Sequence, residues 1–254
     1  MSTTTATRIS DIPPLIRPES LDLARAEYTR MLDLLAGLAP AAWAAATDCP
    51  GWDVRHMVAH VLGAAEAHGS LREFAHQMRL GRRGTGPLVN GLSAVQVSER
   101  DHLTPSELLD RFQRAAPRSV SARRRVPRIV RALPIKDDST DPPERWRLGY
   151  LLDIIYTRDC WMHRVDICRA TGTELVLSAG HDGRIIADVV ADWARRHRKA
   201  FTLNLTGPAG GTYTSGGTTT PQAHTLDAVQ FCRILSGRDD PSARQGLLAH
   251  WVPF

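Results

Sequence analysis

Asp159 and His163 stand four residues apart in RDCWMHRVDICRATG, which runs from Arg158 to Gly172. On a helix that spacing stacks the carboxylate and the imidazole on one face. Trp161, Met162, Val165 and Ile167 around them are apolar, so little water is expected there. Such a pair either hydrogen-bonds within itself as a packing device or holds something between its members. A metal ion would need a third ligand from another element. The stretch HMVAH offers His56 and His60, again four apart. His60 lies among Val58, Val61 and Leu62 and is expected to face an interior, whereas His56, in a first helical turn, is expected near solvent. His60, Asp159 and His163 together would form a facial set with open positions, as in a catalytic rather than a closed structural site. Asp166, one turn beyond His163, either orients a ligand histidine or caps a neighbouring backbone group.

Four helical stretches would carry these residues. PESLDLARAEYTRMLDLLAGL places Leu21, Leu23, Ala24, Met31, Leu32, Leu34 and Leu35 at roughly helical spacing and closes on Gly37. A long second helix is expected over WDVRHMVAHVLGAAEAHGSLREFAHQM, with Asp53 as N-cap. TPSELLDRFQRAA opens a third with Thr104 as cap, Pro105 in the first turn and Glu107 three residues after the cap. The fourth is expected from about Trp146 to Ala170. Four helices with modest connections make a bundle, whose facing side chains can build a metal site. The composition changes after Gly172. HDGRIIADVVADWARRHRK reads as a helix, AFTLNLTG alternates as a strand, and PAGGTYTSGGTTTPQ fits a hairpin or a mobile loop. TLDAVQFCRILSGR reads as a final helix capped by Thr225 and stopped by Gly237. The expected fold is therefore α+β in two domains, a four-helix bundle over 1–172 and a small α+β domain over 173–254.

Composition excludes some classes. A 43% hydrophobic, 23% charged chain of 254 residues is ordinary for a soluble globular protein. It has no apolar run near the roughly 18 residues that span a bilayer. The N-terminus lacks the basic-then-apolar pattern of a secretory signal, so a cytoplasmic protein is expected. Cys49, Cys160, Cys168 and Cys232 show no CxxC spacing and are expected to be reduced, buried and inert. The net charge of +5 concentrates between Pro117 and Arg131, where Arg118, Arg123, Arg124, Arg125, Arg128 and Arg131 crowd together. No aromatic residue interleaves them and no DNA-binding motif accompanies them, so a solvated face or loop is expected rather than a nucleic-acid site. One or two of these arginines are alternative attractants for an anionic substrate.

CPGWDVRHMVAHVLG (Cys49 to Gly63), with RDCWMHRVDICRATG about a hundred residues later, resembles the mycothiol-dependent maleylpyruvate isomerase family. The likeness runs over nearly the whole chain, including FCRILSGR. It implies a DinB-like four-helix bundle followed by a sterol-carrier-like α+β domain. It implies a divalent metal on His60, Asp159 and His163; for such nitrogen and oxygen ligands zinc is the first choice, with nickel, cobalt or iron as alternatives. It also implies mycothiol as the thiol cofactor. Two departures stand out: the family carries glutamate where this chain has Asp159, and an acidic residue is common where it has His56. A basic residue of the C-terminal domain is implied in the cleft, with Arg238, after the helix-ending Gly237, or Arg233 as candidates. The expected function is an isomerase or thiol S-transferase acting on a small electrophilic, anionic substrate. A metal-dependent hydrolase and a non-catalytic small-molecule binder are the alternatives.

Overall fold

The computed structural model describes residues 6–140, 143–216 and 221–254. The chain divides into two compact units, Arg17–Glu174 and a second made of the segment up to Ile16 together with Leu175–Phe254.

In the first unit α1 (Arg17–Ala36) buries Leu21, Ala24, Tyr28, Met31 and Leu35, the three-and-four spacing expected of one helical face. Helix α2 (Val54–Gly69) starts at Asp53, whose carboxylate accepts the His56 amide at 2.8 Å. The long second helix expected through Met78 is broken. Ser70 adopts extended backbone (φ −147°, ψ 117°), and its hydroxyl accepts the Glu73 amide to begin α3 (Leu71–Gly81). Serine competes for backbone hydrogen bonds, which makes it a better cap than interior residue. Helix α4 (Leu88–Ser98) was not legible in the sequence. It packs back on α2 at Gly63, where an added Cβ would lie 2.7 Å from the Gln96 side chain. A buried chain of amides joins the three helices: Gln96 Nε2 donates to Gln77 Oε1, and Gln77 Nε2 donates to the Gly63 carbonyl.

Helix α5 (Pro105–Arg125) opens with the expected capping box, in which the Glu107 amide donates to Thr104 Oγ1 and the Thr104 amide to Glu107 Oε2. It continues past Ala116 through Pro117, so much of the basic run is helical. The run is not uniformly solvated: Arg118, Arg124, Arg125 and Arg128 are exposed, but Arg123 and Arg131 are buried. After the single turn α6 (Arg128–Arg131) come β2 (Pro134–Asp137) and β3 (Glu144–Arg147), an antiparallel ribbon that pairs Ile135 with Trp146. Trp146 is thus in a strand. The last helix begins as α7 (Leu148–Tyr150), widens to a π-helical segment over Leu151–Ile155, and becomes α8 (Tyr156–Thr171), which ends at left-handed Gly172. Helices α1, α2, α5 and α8 make the expected DinB-like bundle around Met31, Met57, Leu62, Leu108 and Phe112. Inside it Arg164 Nε donates to Glu27 Oε1 at 2.7 Å, tying α8 to α1 through a buried ion pair.

The second unit is the small α+β domain. Its strands β1 (Thr7–Arg8), β4 (Phe201–Thr206), β5 (Gly211–Ser215) and β6 (Gln222–Asp227) form one sheet in the order β1-β5-β4-β6. Strand β1 pairs parallel with β5, so the N-terminal segment joins this sheet although the sequence reading puts it with the bundle. Strands β4 and β5 form the antiparallel hairpin. The mobile-loop alternative for the Thr-rich stretch falls on residues 217–220, outside the described residues. Helix α9 (Asp182–His197) contributes Trp193, whose ring meets Phe201 and Phe231 edge-on at 4.8 and 5.3 Å. Helix α10 (Ala228–Leu235) is capped by Asp227, not Thr225, because Thr225 is used in β6 opposite Asn204. Gly237 takes the expected left-handed conformation, φ 77°. Among the described residues no helix is long and apolar enough to cross a membrane.

Candidate metal centre

The loop before α2 is a tight turn over Cys49–Trp52. Pro50 and Gly51 take its central positions, Gly51 at φ 80°, and the Trp52 amide donates to the Cys49 carbonyl at 3.0 Å. A Pro-Gly pair suits a type II turn, since proline presets the first corner and only glycine adopts the second without strain. The Thr47 hydroxyl and amide both donate to the Trp52 carbonyl and fix its backbone. The Trp52 ring consequently lies 5.2 Å from the His60 ring and 6.3 Å from the His163 ring.

Beneath that indole the three expected side chains converge. His60 Nε2 is 3.6 Å from Asp159 Oδ2, and His163 Nε2 is 3.3 Å from Asp159 Oδ1. The two imidazoles meet edge to face at 5.1 Å. One ligand atom from each of the three lies within 4.8 Å of the others. Both histidines are buried and Asp159 is half-buried, so the acid is the member nearest solvent. Burial alone would raise the Asp159 carboxyl. The charge and hydrogen bonding of His163, then of His60, outweigh burial and hold it well below the usual carboxylate range. An ionised carboxylate between two imidazoles is a donor set that fits a divalent transition ion. The segment Leu151–Ile155 sits immediately before α8, and π-helical turns of this kind recur beside functional sites.

The model of the mycothiol maleylpyruvate isomerase N-terminal domain matches residues 24–168, more than half of the chain and all three of these residues. The chain belongs to that family. Membership makes it an enzyme. Two solved structures share the two-unit fold. One is a mycothiol-dependent maleylpyruvate isomerase, with TM-score 0.58, 18% identity, and coverage of 92% of this chain and 93% of that one. The other is a histidine-to-alanine variant of such an isomerase, with TM-score 0.57, 18% identity and 92% coverage of both chains. At that identity the likeness speaks for the fold alone. No curated protein matches the sequence.

Within this family member, His163 has a second neighbour. Asp166 is wholly buried, and its Oδ2 stands 3.5 Å from His163 Nδ1, which makes it an electrostatic neighbour of that ring. Cys49 departs from expectation. It is half-buried rather than enclosed, and its sulfur, a His163 nitrogen and an Asp166 oxygen lie within 4.8 Å of one another. The Pro-Gly turn was the available signal for both Trp52 and Cys49, since it forces the chain back over the start of α2. His56 is outside the site: its Nδ1 accepts the Asp53 amide at 3.4 Å and completes the cap of α2. In the second unit Arg233 is 4% exposed rather than a solvated helix residue. Its Nη2 donates to the Arg238 carbonyl at 2.7 Å while the Arg238 amide donates to the Arg233 carbonyl, which fixes the turn after Gly237. Arg238 itself is half-buried.

Proposed function

We propose that the protein is a metal- and mycothiol-dependent enzyme acting on a small electrophilic, anionic substrate, as an isomerase of the maleylpyruvate type or a thiol S-transferase. The observation that carries this reading is the convergence of His60, Asp159 and His163 donor atoms within 4.8 Å beneath the Trp52 indole. His60, Asp159 and His163 would hold the ion, with zinc the first choice for two nitrogens and one oxygen. A divalent ion bound there favours the deprotonated form of a thiol that joins it, making a thiolate available near neutral pH. The chain's own groups prepare that event. Asp159 brings a standing negative charge, Asp166 would orient the ring of His163 from 3.5 Å away, and Trp52 would keep bulk water from the two imidazoles. The thiolate would add to one carbon of an activated double bond, allow rotation about the resulting single bond, and leave as the double bond re-forms. In a transferase the new carbon–sulfur bond persists. Asp159, one methylene shorter than the glutamate of the family pattern, would draw the ion closer to α8.

Purified protein, its metal measured by mass spectrometry, is expected to consume small carboxylate-bearing electrophiles only when mycothiol is present. Turnover that ignores the thiol would instead support a hydrolase using water, and binding without turnover a non-catalytic binder.

For the basic residue we take Arg238, supported by its position after Gly237 and the family pattern. Arg238→Ala is expected to raise KM or lower kcat/KM for an anionic substrate by about 10–100-fold, the worth of a charge-assisted contact. The melting temperature should stay within a few degrees. Wild-type kinetics with a lowered melting temperature would make the residue structural.

A further inference from the structure

Arg123 is a cation inside the bundle that no carboxylate among the described residues neutralises. It projects from α5 with 1% of its surface exposed. Its Nη2 donates to Thr157 Oγ1 at 3.1 Å, but its Nε and Nη1 are buried and have no hydrogen-bond partner. A guanidinium removed from water without a counterion is costly, and unpaired buried donors add to the cost. Arg123 approaches α8 beside the metal centre: Thr157 is two residues before Asp159, and Tyr156, Asp159 and His163 share one helical face. The Tyr156 ring stacks on His68 of α2, centroids 3.6 Å apart and planes at 32°.

Both of those rings are half-buried, so they lie between the guanidinium and solvent-accessible surface. The other groups around Arg123 do not supply a negative charge. Burial and then Arg123 itself push His68 down to about 3, so its ring is neutral at physiological pH. Burial raises Tyr28, Tyr156 and the Cys160 thiol, which stay protonated. Asp159, within electrostatic reach of Tyr156 and His68, is engaged by two imidazoles.

We infer that Arg123 is the receptor for a carboxylate of the substrate, seated between α2, α5 and α8 next to the metal centre, with Tyr156 and His68 as its walls. From Tyr156 to Asp159 and His163 is three and seven residues, about 5–10 Å of helical rise. The substrate class is therefore a short carboxylic acid whose electrophilic carbon lies several bonds from the carboxylate. That substrate assignment rests on the thiol-enzyme reading, whereas the anion site does not.

The test is calorimetric titration of maleate into the zinc-loaded full chain, wild type and Arg123→Met, with metal content measured on the same samples. Wild type is expected to bind maleate and Arg123→Met to bind it about 30-fold or more weakly at unchanged metal content, as the loss of charge-assisted hydrogen bonds implies. In turnover, Arg123→Met is expected to slow a carboxylate electrophile about 100-fold while leaving its methyl ester within about threefold of wild type. Equal maleate affinity in the two proteins, or equal losses for acid and ester, would overturn the assignment and make Arg123 a packing residue. Should Arg123→Met not fold, the Nε–H resonance of Arg123 in the wild-type protein, assigned with Arg123→Lys, serves instead. It is expected to shift with maleate and not with dimethyl maleate, and a resonance unmoved by maleate overturns the proposal. Arg123-dependent maleate binding without thiol-dependent turnover upholds this site while removing the thiol-enzyme reading. Thiol-dependent turnover without Arg123-dependent binding does the reverse.

Discussion

Replacing His163 with alanine is expected to empty the metal centre while leaving the protein folded. His163 is the hinge of the cluster, with Nε2 3.3 Å from Asp159 and Nδ1 3.5 Å from Asp166. Removing it takes one of three donors and separates the orienting carboxylate from the centre. Loss of an orienting partner alone costs about 10–100-fold in metal affinity, so Asp166→Asn should fall in that range and His163→Ala well beyond it. Metal per subunit after dialysis, by mass spectrometry, measures both, with far-UV circular dichroism reporting the fold. A second pair of variants separates two ligand sets, because Cys49, His163 and Asp166 also converge within 4.8 Å. His60→Ala is expected to lose the ion and Cys49→Ser to keep it. Full occupancy in His60→Ala, or unchanged occupancy in folded His163→Ala, would sink the assignment of His60, Asp159 and His163.

Stripping the metal is expected to weaken mycothiol binding by about a hundredfold or more, since the ion supplies the soft ligand position that no side chain replaces. Calorimetry on loaded and stripped protein measures this directly. The pH dependence has a definite sign. A free thiol has a pKa of about 8.5, so binding it as thiolate releases a proton. Affinity for the loaded protein should therefore rise about tenfold per pH unit as pH climbs toward that value, and level off above it. The chain's own cysteines are poor substitutes. Burial, then Glu27 and Asp159, hold the Cys160 thiol well above its ordinary range. Burial pushes Cys168 up to about 11, and Cys232 is completely enclosed. Replacing these three by serine or alanine should leave thiol binding intact in folded protein. Cys49→Ser is the informative case, since its sulfur converges with His163 and Asp166. Thiol affinity equal with and without metal would remove the thiol-enzyme reading, and loss of activity in Cys49→Ser alone would move the nucleophile into the chain.

What the sequence determines by itself is what depends on neighbours along the chain. A helix repeats every 3.6 residues, so Asp159 and His163 had to share a face of α8, and His60 had to lie on the apolar stripe of α2. Asp53 and Thr104 cap the amides two or three residues ahead of them, an interaction completed within one turn. Where local preference allows two outcomes, packing decides. Ser70 is tolerated inside a helix but breaks this one, because α3 must turn to lie against α4. Thr225 and Asp227 are both good caps, and pairing of β6 with β4 takes Thr225 into the sheet and leaves Asp227 at the helix start. The same division holds in the site. Nothing near Asp166 in sequence places its carboxylate; only the fold brings its oxygen to 3.5 Å from His163 Nδ1. Arg123 and Arg124 are chemically identical neighbours, about 100° apart around α5. The helical repeat of Phe112, Ala116, Val120 and Arg123 puts the first of them on the inward face, but a charged side chain reads as solvated until its surroundings are known. Those surroundings are Tyr28 from α1, ninety-five residues earlier, His68 from α2 and Tyr156 from α8. Burial of a charge is a property of what packs around it, and only the tertiary structure brings those three helices to one guanidinium.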